Sequence, residues 1–270
     1  MKERRASNQF PRTADLPYQS PKYWAKEKNR YLRQLLISDI EAETERETDV
    51  YFSRLDQAIT EIDADDMSEV LSAVESKDID ILLHTPGGLV DAVEKFVSVL
   101  SLLKLSYRVV VPSFAKSGGT LIALTAKEIL MGVNSELGPV DPQITTADYA
   151  SVSAEYVVAD DGQPKILQSI AKANIERGKK LAEKYIRVIL ETKAKNPTAE
   201  QIAACEKSIA TVLEKLCSPT GYGSHGAVID YTEAHEIGLP AIWMDPNSTL
   251  WKKVWLLYFA CMILIPSRLM

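Results

Sequence analysis

Two short apolar runs, each followed by a glycine-rich turn and then by a stretch with helical spacing, constrain the fold most strongly. The first run covers residues 79–83 and leads into the turn H-T-P-G-G at residues 84–88. The second covers residues 107–111 and leads into A-K-S-G-G-T at residues 115–120. Nearly continuous apolar strands that alternate with helices are typical of a parallel sheet buried on both faces. The sequence therefore predicts an α/β fold with a parallel sheet and flanking helices.

The rest of the chain continues this alternation and suggests three regions. We predict an N-terminal arm over residues 1–45 with a short helix at 21–32, one α/β domain over 46–245, and an apolar C-terminal segment over 246–270. The charged run at 41–49 is interpreted as a solvated connection. Apolar spacing predicts helices and a further strand inside the domain. The helices are predicted at 66–74, 90–100, 119–126, 163–193, 198–216 and 232–237, and the further strand at 128–132.

Composition limits the classes of function and partner. The formal net charge is −6 and no long basic stretch occurs, so we expect no nucleic-acid partner. The three cysteines and three histidines show no metal-ligand spacing, and no G-x-G-x-x-G motif occurs, so we expect neither a metal nor a cofactor. The sparse cysteines and the polar first residues predict a cytoplasmic protein without a signal peptide.

The C-terminal region contains an uncharged run at residues 254–265. This run is shorter than the ~20 apolar residues that a bilayer-spanning helix needs. Two interpretations remain open. One is a segment buried in the protein or at a subunit interface, and the other is a peripheral membrane contact.

Ser117 is the clearest candidate for a catalytic residue, because it lies on a turn between a strand and a helix. Gly118 and Gly119 leave room for a substrate carbonyl, and the backbone N–H of Gly118 is a free first-turn donor. The Pro86-Gly87-Gly88 turn offers further free N–H groups. Two converging donors can stabilise the oxyanion of a tetrahedral acyl intermediate. The alternative is an ordinary serine at a helix N-terminus.

A nucleophilic serine needs a general base, and the residues alone leave its identity open. His84 adjoins the first turn and is typical of a structural strand-end residue, while His225 and His235 lie far along the chain. Lys165 and Lys172 share one face of the helix predicted after Pro164. A buried lysine with a lowered pKa can act as a base.

The motifs also resemble a known family. The strings I-L-L-H-T-P-G-G-L-V, A-K-S-G-G-T-L-I-A-L-T-A-K-E-I-L-M and L-G-P-V-D-P-Q are similar to the serine dehydrogenase proteinase family of the Clp/crotonase superfamily of serine peptidases. That superfamily includes signal peptide peptidase A and the Clp protease proteolytic subunit. The close match covers residues 78–144, and a weaker one covers 224–240. The resemblance implies a Clp/crotonase-like fold of repeated strand-strand-helix units.

By this resemblance the protein is expected to be a serine endopeptidase that acts on peptides or proteins and assembles as a homo-oligomer. Ser117 would be the nucleophile, and Gly88 and Gly118 would supply the oxyanion hole. The chain has G-P-V-D-P-Q where the Clp subunit carries its histidine. Because Q-P-K-I resembles a lysine motif in the superfamily, we expect a Ser-Lys dyad with Lys165, or with Lys172 as its rival.

Two alternatives belong to other classes of function. A catalytically inactive binding or scaffold protein would keep the fold and both turns but lack the base. A crotonase-type acyl-CoA enzyme would use the same oxyanion hole without a nucleophilic serine.

Overall fold

The computed structural model describes residues 21–145, 151–191, 198–217, 222 and 224–262, and every structural statement below refers to these ranges. The predicted arm before residue 21, the end of the long helix predicted to 193 and the apolar residues 263–265 lie outside them. The elements are, in chain order, α1 (Pro21–Thr44), β1 (Glu47–Phe52), α2 (Glu61–Ser72), β2 (Asp78–His84), α3 (Val90–Leu102), β3 (Ser106–Val111), β4 (Phe114–Ala115), α4 (Gly118–Ala123), β5 (Ile129–Met131), β6 (Glu136–Leu137), β7 (Gln143–Thr145), β8 (Ser151–Ser153), α5 (Ala154–Ala159), α6 (Lys165–Glu191), α7 (Ala199–Cys217), α8 (Tyr231–Glu236), β9 (Ala241–Trp243) and α9 (Thr249–Met262).

The main sheet is parallel throughout and has the strand order β1-β2-β3-β5-β9. One row of paired residues crosses it from Asp49 through Ile81, Val109 and Ile129 to Ala241. Parallel neighbours need a crossover between them, and here helices supply it. The predicted α/β class with a parallel sheet and flanking helices is confirmed.

Alternate residues of the strands enter two different cores. Ile81, Val109 and Ile129 belong to the larger core, which the helices α2, α3, α4, α6 and α7 close. Leu82 and Val110 point to the other face and enter a smaller core with residues of α1 and α9. The period of two along a strand explains this division. The sheet is therefore a middle layer between two layers of helices.

The structure corrects the interpretation of residues 33–49. The predicted short helix continues to Thr44, because Leu36 and Ile40 lie one turn apart and are both buried in the smaller core. The charged run is not a solvated connection. It ends the helix and begins the edge strand β1, where a carboxylate oxygen of Glu41 accepts the N–H of Thr48. A charged side chain thereby satisfies one N–H group of the edge strand.

The helix α9 packs beside α1 rather than standing apart from the domain. Trp251, Val254 and Leu257 are buried in the smaller core, while Leu256 and Phe259 remain 40% and 46% exposed. None of the described helices is both long and apolar enough to cross a bilayer. The three-region division, the homo-oligomer, the cytoplasmic location and the membrane contact through 254–265 stay predictions.

His84 ends β2 just before the first glycine turn and is almost completely buried. Its ring packs against the rings of Phe114 and Tyr258, with centroids 3.9 and 4.9 Å away, and its Nδ1 accepts the N–H of Phe114 at 3.3 Å. Burial disfavours the charged imidazolium and lowers the pKa of His84 from 6.5 to about 4. The side chain therefore supports the turn as a neutral ring.

We expect His84 to make folding sensitive to acid. The native state keeps this ring neutral down to pH about 4, whereas the unfolded chain takes up a proton near pH 6.5. Acidification through this window favours the unfolded state, by roughly 3 kcal/mol for the full shift. Denaturant unfolding between pH 7 and 4 measures the slope. In His84→Asn the slope should become shallower, while His235→Asn, at an exposed position, should keep it. Equal slopes in wild type and His84→Asn would contradict this assignment.

Candidate active site

Ser117 has a backbone conformation that non-glycine residues rarely adopt. Its φ and ψ are 52° and −115°, the values of the first central residue in a type II′ turn. The turn is closed by a hydrogen bond from the N–H of Gly119 to the carbonyl of Lys116 at 2.8 Å. It joins β4 to α4, so the side chain stands at the end of a strand and the start of a helix. This strained strand-to-helix turn is the geometry of a nucleophile elbow.

The two glycine-rich turns lie against each other. Thr85 donates its N–H to the carbonyl of Phe114 and accepts the N–H of Lys116, each at 3.0 Å. A methyl group on Gly87 would lie only 2.7 Å from the amide nitrogen of Gly118 and 2.8 Å from Cβ of Ser117. Gly87 also has a φ of 97°, which favours glycine. The close approach of the turns therefore depends on the missing side chain.

The amides of Gly88 and Gly118 border the same space. A methyl group on Gly118 would lie 3.3 Å from the amide nitrogen of Gly88. Among the described backbone hydrogen bonds neither amide is a donor, whereas the neighbouring amides of Leu89 and Gly119 are both bonded. These two N–H groups are therefore available to a ligand beside Ser117.

A cavity of about 660 Å³ opens in front of these turns. Its floor is formed by the two turns and its apolar wall by residues such as Val93, Leu121 and Val140. One side is the face of α6 that carries Asn174, Arg177 and Gly178. Ser117, Asp141 and His225 all line it. The cavity therefore combines a serine hydroxyl, free amides and an acid–histidine pair.

Asp141 and His225 form a close polar contact in this cavity. Oδ1 of Asp141 lies 2.6 Å from Nδ1 of His225, and Oδ2 accepts from Nε2 of Gln143 at 2.7 Å. The Asp141 side chain is 2% exposed and that of His225 is 33% exposed. Since the carboxylate holds Nδ1, the other ring nitrogen of His225 is left for a substrate or a nucleophile. The same carboxylate–imidazole arrangement orients the base of serine hydrolases.

The Ser117 hydroxyl has no hydrogen-bond partner among the described residues. It therefore makes no hydrogen bond with His225 in this structure, although both line one cavity. Catalytic hydrogen bonds often form or shorten only when substrate binds. The Thr120 hydroxyl holds the nearby segments together, because it lies 2.8 and 2.9 Å from the carbonyls of Ala115 and Gly138.

Comparison with known proteins matches residues 51–210 to a family model described as ClpP-like SDH-type serine proteinase. The chain belongs to this family. The matched range includes Ser117 and Asp141 but ends before His225. The resemblance to the serine dehydrogenase proteinases predicted from the two turns is confirmed, and with it a hydrolase family.

Two relatives are uncharacterized proteins of Methanocaldococcus jannaschii. MJ0137 is 36% identical over 66% of this chain and 59% of its own length, and MJ1495 is 33% identical over 72% and 62%. The chain thus matches about three fifths of each relative. Among solved structures, a ClpP1 mutant from Listeria monocytogenes aligns with 81% of this chain and 99% of its own, at 18% identity and a TM-score of 0.45.

Neither lysine predicted as the family's base enters the cavity. Lys165 and Lys172 are both exposed, and neither belongs to the cavity lining. At 3.6 residues per turn they lie on the side of α6 roughly opposite to Asn174 and Gly178. Within the described ranges no three His, Cys, Asp or Glu side chains are grouped to hold a metal ion. The roles predicted for Ser117, Gly88 and Gly118, and for the lysines, stay predictions.

Sequence patterns alone do not connect Asp141 with His225. Their positions are 84 residues apart, and His225 follows α7, which no local pattern relates to the Gly138–Pro142 segment. The available signal was the aspartate in G-P-V-D-P-Q itself. It occupies the stretch where the Clp subunit carries its histidine, and a buried acid there requires a partner.

Proposed function

We propose that this protein hydrolyses peptide bonds through an acyl-enzyme on Ser117, with His225 as general base and Asp141 as the residue that orients it. One observation carries the proposal. A strained serine turn and a buried carboxylate paired with a partly exposed imidazole line the same cavity. Membership in a serine proteinase family supports the reaction class. The chain matches about three fifths of its relatives' length, so a peptide substrate is proposed here together with the reaction.

In the first half of the reaction, Oγ of Ser117 attacks the carbonyl carbon of the scissile peptide. The Ser117 proton passes to the free ring nitrogen of His225, and the carboxylate of Asp141 stabilises the imidazolium that forms. The carbonyl oxygen becomes an oxyanion. Collapse of the tetrahedral species breaks the C–N bond, and His225 gives its proton to the leaving amine. A water molecule then repeats these steps on the ester.

The amides of Gly88 and Gly118 would receive the oxyanion. Both are unbonded within the described backbone, and they belong to two turns in direct contact. Removing one such donor typically costs ~10²–10³ in rate, so the pair would supply a large part of the transition-state stabilisation. A Cβ at Gly88 would collide with the backbone of Ile59, which explains why this donor is presented by a glycine.

The Ser-Lys dyad is the rival for the same nucleophile. A lysine becomes a neutral base where burial disfavours its charged form, and both Lys165 and Lys172 are exposed. Neither lysine belongs to the lining of the cavity that contains Ser117. These two observations favour His225 as the base.

A fluorophosphonate probe tests the proposed nucleophile. We expect the wild type to gain one covalent adduct that peptide mapping assigns to Ser117. The variant Ser117→Ala should gain none. Ser169→Ala should react like the wild type, because its hydroxyl is exposed and donates to a carbonyl of its own helix.

Each other outcome would contradict the proposal in a recognisable way. Equal labelling of wild type and Ser117→Ala would exclude Ser117. Thioester hydrolysis without labelling would favour the crotonase-type acyl-CoA enzyme. A folded protein that neither reacts nor hydrolyses peptides would favour the inactive scaffold.

A further inference from the structure

Lys116, the residue before Ser117, connects three separate segments of the site. Its Nζ donates to the carbonyl of Gly226 at 3.0 Å and lies 3.0 Å from Oε2 of Glu136. Gly226 directly follows His225 in the chain, and Glu136 lies on β6. The lysine therefore bridges from the nucleophile turn to the segment that carries the imidazole.

The Lys116 side chain is confined along its whole length. Only 20% of it is exposed, and a Cβ on Gly138 would lie 3.1 Å from both Cβ and Cγ of the lysine. The stem thus passes directly over the segment that leads to Asp141. The ion pair with Glu136 then fixes the ammonium group at the point where it meets the Gly226 carbonyl.

Among the described residues, the segment around His225 makes few other hydrogen bonds to the rest of the fold. Its nearest backbone anchor is the pair of hydrogen bonds between Ile229 and Leu137, at 2.9 and 3.1 Å. The hydrogen bonds of Ser224 with Gly226 and Ala227 are internal to the turn and cannot fix its position. Next to the imidazole, the described contacts are those of Asp141 with His225 and of Lys116 with Gly226.

We propose that Lys116 is a positioning residue that sets the distance and angle between the His225 imidazole and the Ser117 hydroxyl. This inference rests on the proposed function, since it assigns His225 as the base. Lys116 is covalently adjacent to the nucleophile and hydrogen-bonded to the residue after the base. A change at its tip therefore moves the two reacting groups relative to each other. A misplacement of ~1 Å can cost ~10² in rate.

The test compares turnover of a peptide or ester substrate by Lys116→Met and by the wild type. Methionine keeps most of the apolar stem and removes the donor. We expect kcat to fall by ~10- to 100-fold while KM changes by less than about 3-fold, because the cavity wall is unchanged. Lys116→Arg, which retains a donor, should recover most of the lost kcat.

Lys127→Met is the matched control. Lys127 also donates one hydrogen bond across the fold, to Oγ of Ser106 at 2.8 Å, but at the opposite end of the sheet. We expect it to keep the wild-type kcat. A Lys116→Met enzyme with the kcat of Lys127→Met would overturn the inference, and so would a loss that appears in KM alone.

A series of variants separates a positioning role of Lys116 from a loss of protein stability. Across Lys116, Lys116→Arg, Lys116→Gln and Lys116→Met, kcat should follow the capacity to donate to the Gly226 carbonyl. If kcat instead follows the melting temperature, Lys116 acts only on stability and the inference fails. Activity that survives in Ser117→Ala would refute the proposed function itself. Loss in Ser117→Ala and in His225→Gln, with full activity in Lys116→Met, would refute only the role of Lys116.

Discussion

Replacing His225 with glutamine should lower kcat for peptide hydrolysis by ~10⁴-fold or more. Without the imidazole the described lining of the cavity keeps only carboxylates as potential bases, which are much weaker than an imidazole, and the alcohol is a weak nucleophile at neutral pH. Steady-state kinetics on a peptide or activated ester substrate would measure the loss. The residual rate should resemble that of Ser117→Ala, because residues that act as one unit are not additive when removed.

The lysine variants are the controls for this prediction. Lys165→Met and Lys172→Met should keep kcat within about 3-fold of the wild type, since both side chains point away from the cavity. The opposite pattern, with an active His225→Gln enzyme and an inactive lysine variant, would restore the Ser-Lys dyad and refute the histidine mechanism.

Replacing Asp141 with asparagine should lower kcat by ~10⁴-fold while leaving the shape of the cavity almost unchanged. Asparagine has almost the same size, but it carries no negative charge to stabilise the imidazolium. Its amide also allows the wrong tautomer of His225, which would leave a protonated nitrogen facing Ser117. The measurement is kcat together with the NMR signal of the His225 Nδ1 proton, which should lose its strongly hydrogen-bonded character.

Asp160→Asn is the matched control for charge. Asp160 is exposed, its carboxylate accepts hydrogen bonds from Gly162 and Gln163 near the start of α6, and it lies outside the cavity lining. It should retain the wild-type kcat. An Asp141→Asn enzyme as active as Asp160→Asn would show that the carboxylate does not assist the base.

Sequence patterns predicted the central part of the fold closely. The apolar runs at 79–83 and 107–111 became β2 and β3, and the helical spacing from Val90 became α3. These elements are strongly periodic and bounded by glycine turns, so local chemistry determines them. The Clp-type family followed from the same stretch, because both turns and their order along the chain lie within it.

The parts that sequence did not predict depend on tertiary contacts. The edge strand β1 begins with the polar residues Glu47, Thr48 and Asp49, and it forms because β2 offers a hydrogen-bonding partner along the full length of β1. The pairing of Asp141 with His225 requires the fold to bring two distant loops together. A local motif favoured Lys165 as the base. Which face of α6 lines the cavity depends on how that helix packs, and a local motif does not contain this information.

The most direct test of the central claim is a crystal structure of the protein after reaction with a peptide boronate. We predict a bond between boron and Oγ of Ser117, with one boronate oxygen ~2.7–3.1 Å from the amide nitrogens of Gly88 and Gly118. The free ring nitrogen of His225 should lie within hydrogen-bond distance of the adduct. A boronate bound elsewhere, or an adduct on Ser117 approached by a lysine ammonium instead of His225, would contradict the account.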